Sequence, residues 1–166
     1  GIWGHSNRLK GYQFDIKKAA QLISKSKKGR DRFQLLLTYV AGNEKQQKVA
    51  ELYQTELKKI GVDMEIRGMS WESQWQLAKN INPENRQDLF MMHWWPDLLS
   101  PHSWLYNLYH SQKDIHFNLS YLKSENFDHL IDQANLLSLS NRKKATRLII
   151  QAQQYLLDEA VSIFVY

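Results

Sequence analysis

Asp88 to Trp104 reads DLFMMHWWPDLLSPHSW. The apolar run from Leu89 to Met92, continued by Trp94 and Trp95, predicts a strand buried on both faces. Pro96 ends it, because proline brings no N–H to a ladder. Asp97 then stands at the carboxyl end of a buried strand, where open α/β sheets take their ligands. A carboxylate beside two indoles can hold a cation, and the rings can cover or stack on whatever carries it. Two readings compete here. In one, Asp97, Trp94, Trp95 and the adjacent His93 make a ligand site. In the other, Asp97 caps the turn into a helix starting near Pro101, and the tryptophans are core.

Upstream of this stretch, Arg32 to Val40 contains FQLLLTYV and predicts a buried strand. Asn43 or Glu44 opens a helix whose stripe is Val49, Leu52, Tyr53, Leu57 and Ile60, with Gly61 just past its end. Val62 to Arg67 alternates apolar and polar, as a half-buried strand does. Strand, helix and strand together span about 35 residues, the size of a βαβ crossover, whose connection is expected to be right-handed. Asp15 caps an earlier helix carrying Ile16, Ala19, Ala20, Leu22 and Ile23, and a polar loop from Lys27 to Asp31 follows, with Gly29 as the stop. Residues 1–14 show no period and predict an extended arm that packs Trp3, Tyr12 and Phe14 onto the domain. Ser70 caps a short helix with Trp71 and Trp75. Ser124 caps another, with Phe127, Leu130, Ile131 and Ala134. Asn141 to Glu159 is a long helix, and Val161 to Tyr166 is expected to be a terminal strand.

The chain has 166 residues, enough for one domain with a proper core. No apolar run nears the roughly 20 residues of a membrane span. There are no cysteines, which excludes disulfides, thiolate metal sites and thiol nucleophiles. The net charge of +5 is uneven: residues 1–32 hold nine Lys/Arg against Asp15 and Asp31. Lys17, Lys18, Lys25, Lys27 and Lys28 read as a solvated helix face and its exit loop rather than a nucleic-acid surface. His93, His102, His110 and His116 lack the i, i+4 spacing of a helical zinc pair and are read as independent. No nucleophile elbow and no phosphate-binding glycine loop occurs. These patterns favour a binding protein over an enzyme and call for no cofactor or metal.

The order of segments carries a resemblance. YQFDIKKAAQLI (residues 12–23) resembles an opening in which Tyr12, Asp15, Ala19, Leu22 and Ile23 fit, with Ile16 where proline is usual. LLLTYVAGNEKQQKVAELYQTELKKIGVDMEI (35–66) resembles the strand, helix and strand that follow it. WWPDLLSP (94–101) resembles a tryptophan–aspartate motif matched by Trp94, Asp97 and Pro101, with Ser100 replacing the usual second acid. FNLSYLKSENFDHLIDQA (117–134) fits through Asn118, Tyr121, Phe127, Asp128, Leu130 and Ile131, and AQQYLLDEAVSIFVY (152–166) fits the helix-to-strand ending. Together they resemble the C-terminal lobe of the extracellular solute-binding proteins that serve peptide-type ABC importers, the oligopeptide- and dipeptide-binding family.

The resemblance implies an α/β lobe of the type II periplasmic-binding-protein kind, with a mostly parallel central sheet flanked by helices, in a two-lobed protein that closes around its ligand. The lobe would comprise the arm (1–14), a βαβ core (32–67), a ligand-loop region (88–121), and C-terminal helices with a return strand (124–166). The resemblance also implies peptide capture for uptake. Asp97 would pair with the peptide ammonium, and Trp94, Trp95 and His93 would lie about the ligand. The implied partners are a peptide, an N-terminal lobe and an ABC permease, with no nucleic acid and no transmembrane segment. The expected location is periplasmic or extracellular, with membrane association through the full-length protein. An oligosaccharide ligand and a sensor lobe fused to a transcription regulator are the alternatives. A chain opening at Gly1 without methionine is expected to be a piece of something longer.

Overall fold

The structure is a computed structural model that describes residues 2–26, 34–95 and 97–164. These residues gather into two compact units: residues 14–93, continuous in sequence, and residues 1–13 with 94–166. The expected Lys27–Asp31 loop, the start of the first strand at Arg32, the stop at Pro96 and the last two residues lie outside the described residues.

The continuous unit opens with α1 (Ile16–Lys25), whose N-cap Asp15 accepts the Lys18 N–H at 2.9 Å. Ile16, Ala19, Ala20 and Ile23 form its half-buried stripe, while Lys17, Lys18 and Lys25 face solvent. Strands β1 (Gln34–Val40) and β2 (Asp63–Met69) pair in parallel, from Gln34 opposite Asp63 to Val40 opposite Met69. Helix α2 (Glu44–Lys58) connects them, capped by Asn43. Gly61 past its end holds φ +80°, and the Val62 N–H returns to the Leu57 carbonyl at 3.1 Å. This is the left-handed helix stop that glycine adopts without a Cβ clash.

Leu37, Ala50 and Met64 form the core between the sheet and α2, with Tyr53, Leu57 and Ile66 packed around them. Thr38, next along β1, faces the other way and is fully buried. Helix α3 (Trp71–Ala78), capped by Ser70, packs against β1 and buries Gln74 and Ala78.

The third strand departs from expectation. β3 is only Leu89–Phe90, parallel to β1 with Leu37 opposite Leu89, and the order is β2-β1-β3. Leu89 is 36% exposed, so the run is not buried on both faces. The ladder to β1 is short. The Asp88 carboxylate accepts the Leu36 N–H at 2.7 Å, a carboxylate in place of a backbone carbonyl, and the Met91 N–H donates to the Thr38 carbonyl at 2.9 Å. Residues 91–95 then leave the sheet. An edge strand tied by so few bonds needs little length.

The discontinuous unit is helical: α4 (Pro101–Tyr109), α5 (Glu125–Leu137) and α6 (Arg142–Asp158). Ser124 caps α5 through its side chain, as the sequence predicts, and Asn141, expected as the first residue of its helix, caps α6. Leu105, Tyr109, Phe127, Ile131, Ala134, Ile149, Ala152 and Leu156 form its core. Each of Phe127, Ile131, Ile149 and Leu156 is completely buried, and burial of such a side chain stabilises by about 1.5–3 kcal/mol.

The arm ties itself to α6. Gln153 Nε2 donates to the Gly4 carbonyl at 2.8 Å, Lys10 N–H donates to Gln154 Oε1 at 3.0 Å, and the Tyr12 hydroxyl donates to the Asp158 carbonyl at 2.9 Å. Gly4 is buried at φ +91°, and a Cβ there would sit 2.6 Å from Ile149 Cγ2. Trp3 packs on the core with the Arg142 guanidinium 4.4 Å from its ring centroid. The expected burial of the other two aromatics does not occur, since Tyr12 is 68% and Phe14 78% exposed.

The chain's end also differs. Residues 161–164 form no strand among the described residues. Instead α6 stops in a Schellman turn. Ala160 holds φ +50°, the Val161 N–H reaches the Leu156 carbonyl, and the Ala160 N–H reaches Leu157. Ser162 then accepts the Tyr109 hydroxyl at 3.0 Å.

Candidate functional site

His93 is the last residue of the continuous unit, three residues beyond the carboxyl end of β3. In a sheet of order β2-β1-β3 the strand order reverses between β1 and β3, and the carboxyl ends of those two strands flank the switch point. His93 is exposed there.

Trp94, Trp95 and Asp97 lie in the discontinuous unit, on the segment leading into α4. Trp94 is half-buried and meets Phe117 edge-on, with ring centroids 4.9 Å apart. Its indole N–H is buried and meets no hydrogen-bond acceptor among the described residues. Trp95 is 83% exposed, so the core reading of the two tryptophans holds for neither in full. Asp97 is exposed and does not cap α4. That role belongs to Ser100, whose hydroxyl accepts the His102 N–H at 3.3 Å. The residue standing where a second acid is usual is therefore occupied by helix capping, and Asp97 is left facing water. Leu98 and Leu99, 69% and 83% exposed, follow it.

The histidines are less independent than their spacing suggests. His102, Tyr106 and His110 stack along α4, with centroid separations of 5.0 and 4.4 Å. His110 lies between two α5 acids, its Nδ1 3.8 Å from Asp128 and its Nε2 3.5 Å from Asp132. Burial pushes His102 below the ordinary imidazole value; Asp132 opposes the shift and His110 adds to it. His102, Tyr106 and His110 fall at spacings of four, which brings the rings together on one helix face, and the acids come from a distant segment. Among the described residues, no group of three or more His, Asp or Glu is placed to hold a metal ion.

Sequence reasoning missed the role of Asn118. Its side chain is 2% exposed, and Nδ2 lies 3.3, 3.0 and 2.8 Å from the carbonyls of Tyr109, His110 and Leu122. The Ser120 hydroxyl donates to its Oδ1 at 2.7 Å. Asn118 thus fixes the loop between α4 and α5, which carries Phe117 against Trp94. An open hollow of about 860 Å³, lined by Gln34, Lys58, Lys59 and Asp63 among others, sits at the amino ends of β1 and β2, and none of the four candidate residues lines it.

The sequence model of the bacterial extracellular solute-binding proteins, family 5 (middle), matches residues 1–115. The oligopeptide-binding protein AppA of Bacillus subtilis (strain 168) is 26% identical over 169 residues, covering 93% of this chain and 30% of its own length. Among solved structures, the periplasmic binding protein DppA of Helicobacter pylori, bound to the peptide STSA, superposes with a TM-score of 0.80 at 24% identity, over 96% of this chain and 30% of that one. AppA of Bacillus subtilis with a nonapeptide gives 0.74 at 22% identity, over 96% and 33%. The fold is that of the type II periplasmic binding proteins, α/β with a parallel sheet flanked by helices, and the chain spans about 30% of the length of these relatives. Among the described residues no helix is long and apolar enough to cross a membrane. With more than two thirds of its residues matched, the chain belongs to the bacterial extracellular solute-binding proteins of family 5.

Proposed function

We propose that this chain is part of a solute-binding protein that captures peptides outside the cytoplasmic membrane and delivers them to an ABC permease. In this reading it binds rather than catalyses, and Asp97 pairs with the peptide α-ammonium. The observation that carries the reading is a carboxylate left exposed on a segment whose capping work is done by Ser100, with an exposed indole two residues away. Family membership and the oligopeptide-binding relative supply the ligand class. A carboxylate–ammonium pair strengthens when ligand and protein exclude water from it. The rest of the complete protein closes over the ligand and holds the assembly near the membrane.

The test is Asp97→Asn in the complete protein, titrated calorimetrically with an unmodified tetrapeptide and its N-acetylated form. A charge-assisted bond of about 1.5–3 kcal/mol predicts a loss of roughly tenfold to a hundredfold for either change. An Asp97→Asn protein binding the unmodified peptide as tightly as wild type would end the reading. The 83% exposure of Trp95 favours a second reading, an oligosaccharide stacked on its face. Under that reading Asp97→Asn leaves sugar affinity unchanged.

A further inference from the structure

The continuous unit carries a polar group inside it that its core does not explain. Thr38 and Gln74 are fully buried and Gln87 is 7% exposed, so their burial needs nothing from beyond this chain. Thr38 faces away from the α2 core, beside Phe90 in register on β3, and α3 packs on β1 as well. Gln74 comes from α3. Gln87 reaches it from the loop before β3, its Nε2 donating to the Gln74 carbonyl at 3.0 Å. Four buried atoms here meet no hydrogen-bond partner among the described residues: Thr38 Oγ1, Gln74 Oε1, Gln74 Nε2 and Gln87 Oε1. Turning the Gln74 amide over cures nothing, because both of its ends are orphaned.

Buried polar atoms without a partner are rare, since each forfeits the bonds that solvent gave it. What would satisfy these follows from their chemistry. The set offers the Thr38 hydroxyl and the Gln74 amide hydrogens as donors, and oxygens on all three side chains as acceptors. None of the three is charged. A cation would suit the oxygens but oppose the amide hydrogens, and an anion would do the reverse. Arg67, in register with Thr38 on β2, is exposed and donates to Glu65 at 3.0 Å, so it supplies no balancing charge inside. Water both gives and takes hydrogens. We infer that ordered internal water joins Thr38, Gln74 and Gln87 and seats α3 on the sheet. The Thr38 carbonyl also accepts the Met91 N–H at 2.9 Å, the bond from which the chain runs on to His93. The water site therefore lies under the carboxyl end of β3, and it holds whatever ligand the complete protein takes.

Two measurements on the complete protein test this. In a high-resolution crystal structure, at least one water should lie about 2.7–3.2 Å from polar atoms of two or more of the three side chains. A dry site, or side chains bonded directly to one another, overturns the inference. The second measurement is the thermal midpoint of Thr38→Val, Gln74→Met and the double variant. If water bridges the two residues, each single change should lower the midpoint by about 2–4 °C. The double variant should then lose less than the two together, because one shared bridge is lost only once. Orphaned atoms predict the opposite sign, since an apolar side chain of similar shape relieves an unpaired buried group. A midpoint raised or unmoved in either single variant, or strictly additive losses, overturns the inference.

Discussion

Asn118→Ala is the substitution whose cost follows most directly from the structure. The amide has two hydrogens for three carbonyls, those of Tyr109, His110 and Leu122, and its oxygen takes the Ser120 hydroxyl. Two of those carbonyls belong to the final turn and cap of α4, where the helix itself provides no donor. Two net hydrogen bonds contribute about 1 kcal/mol each, and a buried carbonyl left unsatisfied costs about 1–3 kcal/mol. Allowing for partial relaxation, Asn118→Ala should destabilise by about 2–4 kcal/mol. Asn118→Asp should cost more, because it sets a carboxylate against three carbonyl oxygens. The assay is equilibrium urea unfolding at pH 7, followed by far-ultraviolet circular dichroism and tryptophan emission. The midpoint should fall with little change in slope. A cost below about 0.5 kcal/mol for Ala, or an Asp variant no worse than Ala, would refute the assignment of Asn118 as the anchor of this loop.

Two further outcomes can be checked on the same footing. Ala160 occupies the left-handed C′ position of the Schellman turn that ends α6; Ala160→Gly should therefore stabilise by about 0.5–1 kcal/mol and raise the thermal midpoint by about 2–4 °C, and a lower midpoint would contradict it. His102 is held below its ordinary value of 6.5, chiefly by burial. The unfolded chain thus binds more protons at this residue as pH falls through that value, and stability should drop from pH 7.5 toward pH 5. Asp132, His110 and Tyr106 are the groups facing it. His102→Gln should flatten that slope, and identical slopes for the two proteins would remove His102 as the cause.

Helix starts were the most legible part of the sequence. Asp15, Ser70 and Ser124 each take the cap assigned to them, and Asn43 and Asn141, read only as helix openings, prove to be caps, because a short polar side chain ahead of an apolar stripe has a local job. The β1–α2–β2 segment was legible for the same reason, and so was the family. What escaped depends on partners far along the chain. The run from Leu89 to Trp95 has the composition of a central strand, but only Leu89 and Phe90 pair with β1. Gln46 and Gln74, amides that no local pattern marks as core, are buried; Gln46 accepts the Val40 N–H at 2.8 Å. At the candidate site, the sequence left Asp97 suspended between helix cap and ligand partner. Only the Ser100 geometry gives the cap to another residue.

The residue numbers of the discontinuous unit set an order of events during synthesis. Residues 14–93 form their compact unit from one uninterrupted stretch, which can mature while the ribosome is still working. The opening thirteen residues cannot. Lys10 bonds to Gln154, 144 positions later, so the arm waits for α6 before it finds its seat. Closing so long a loop slows assembly. Until α6 is made, Trp3 has neither the Arg142 guanidinium nor the helical core to cover its indole.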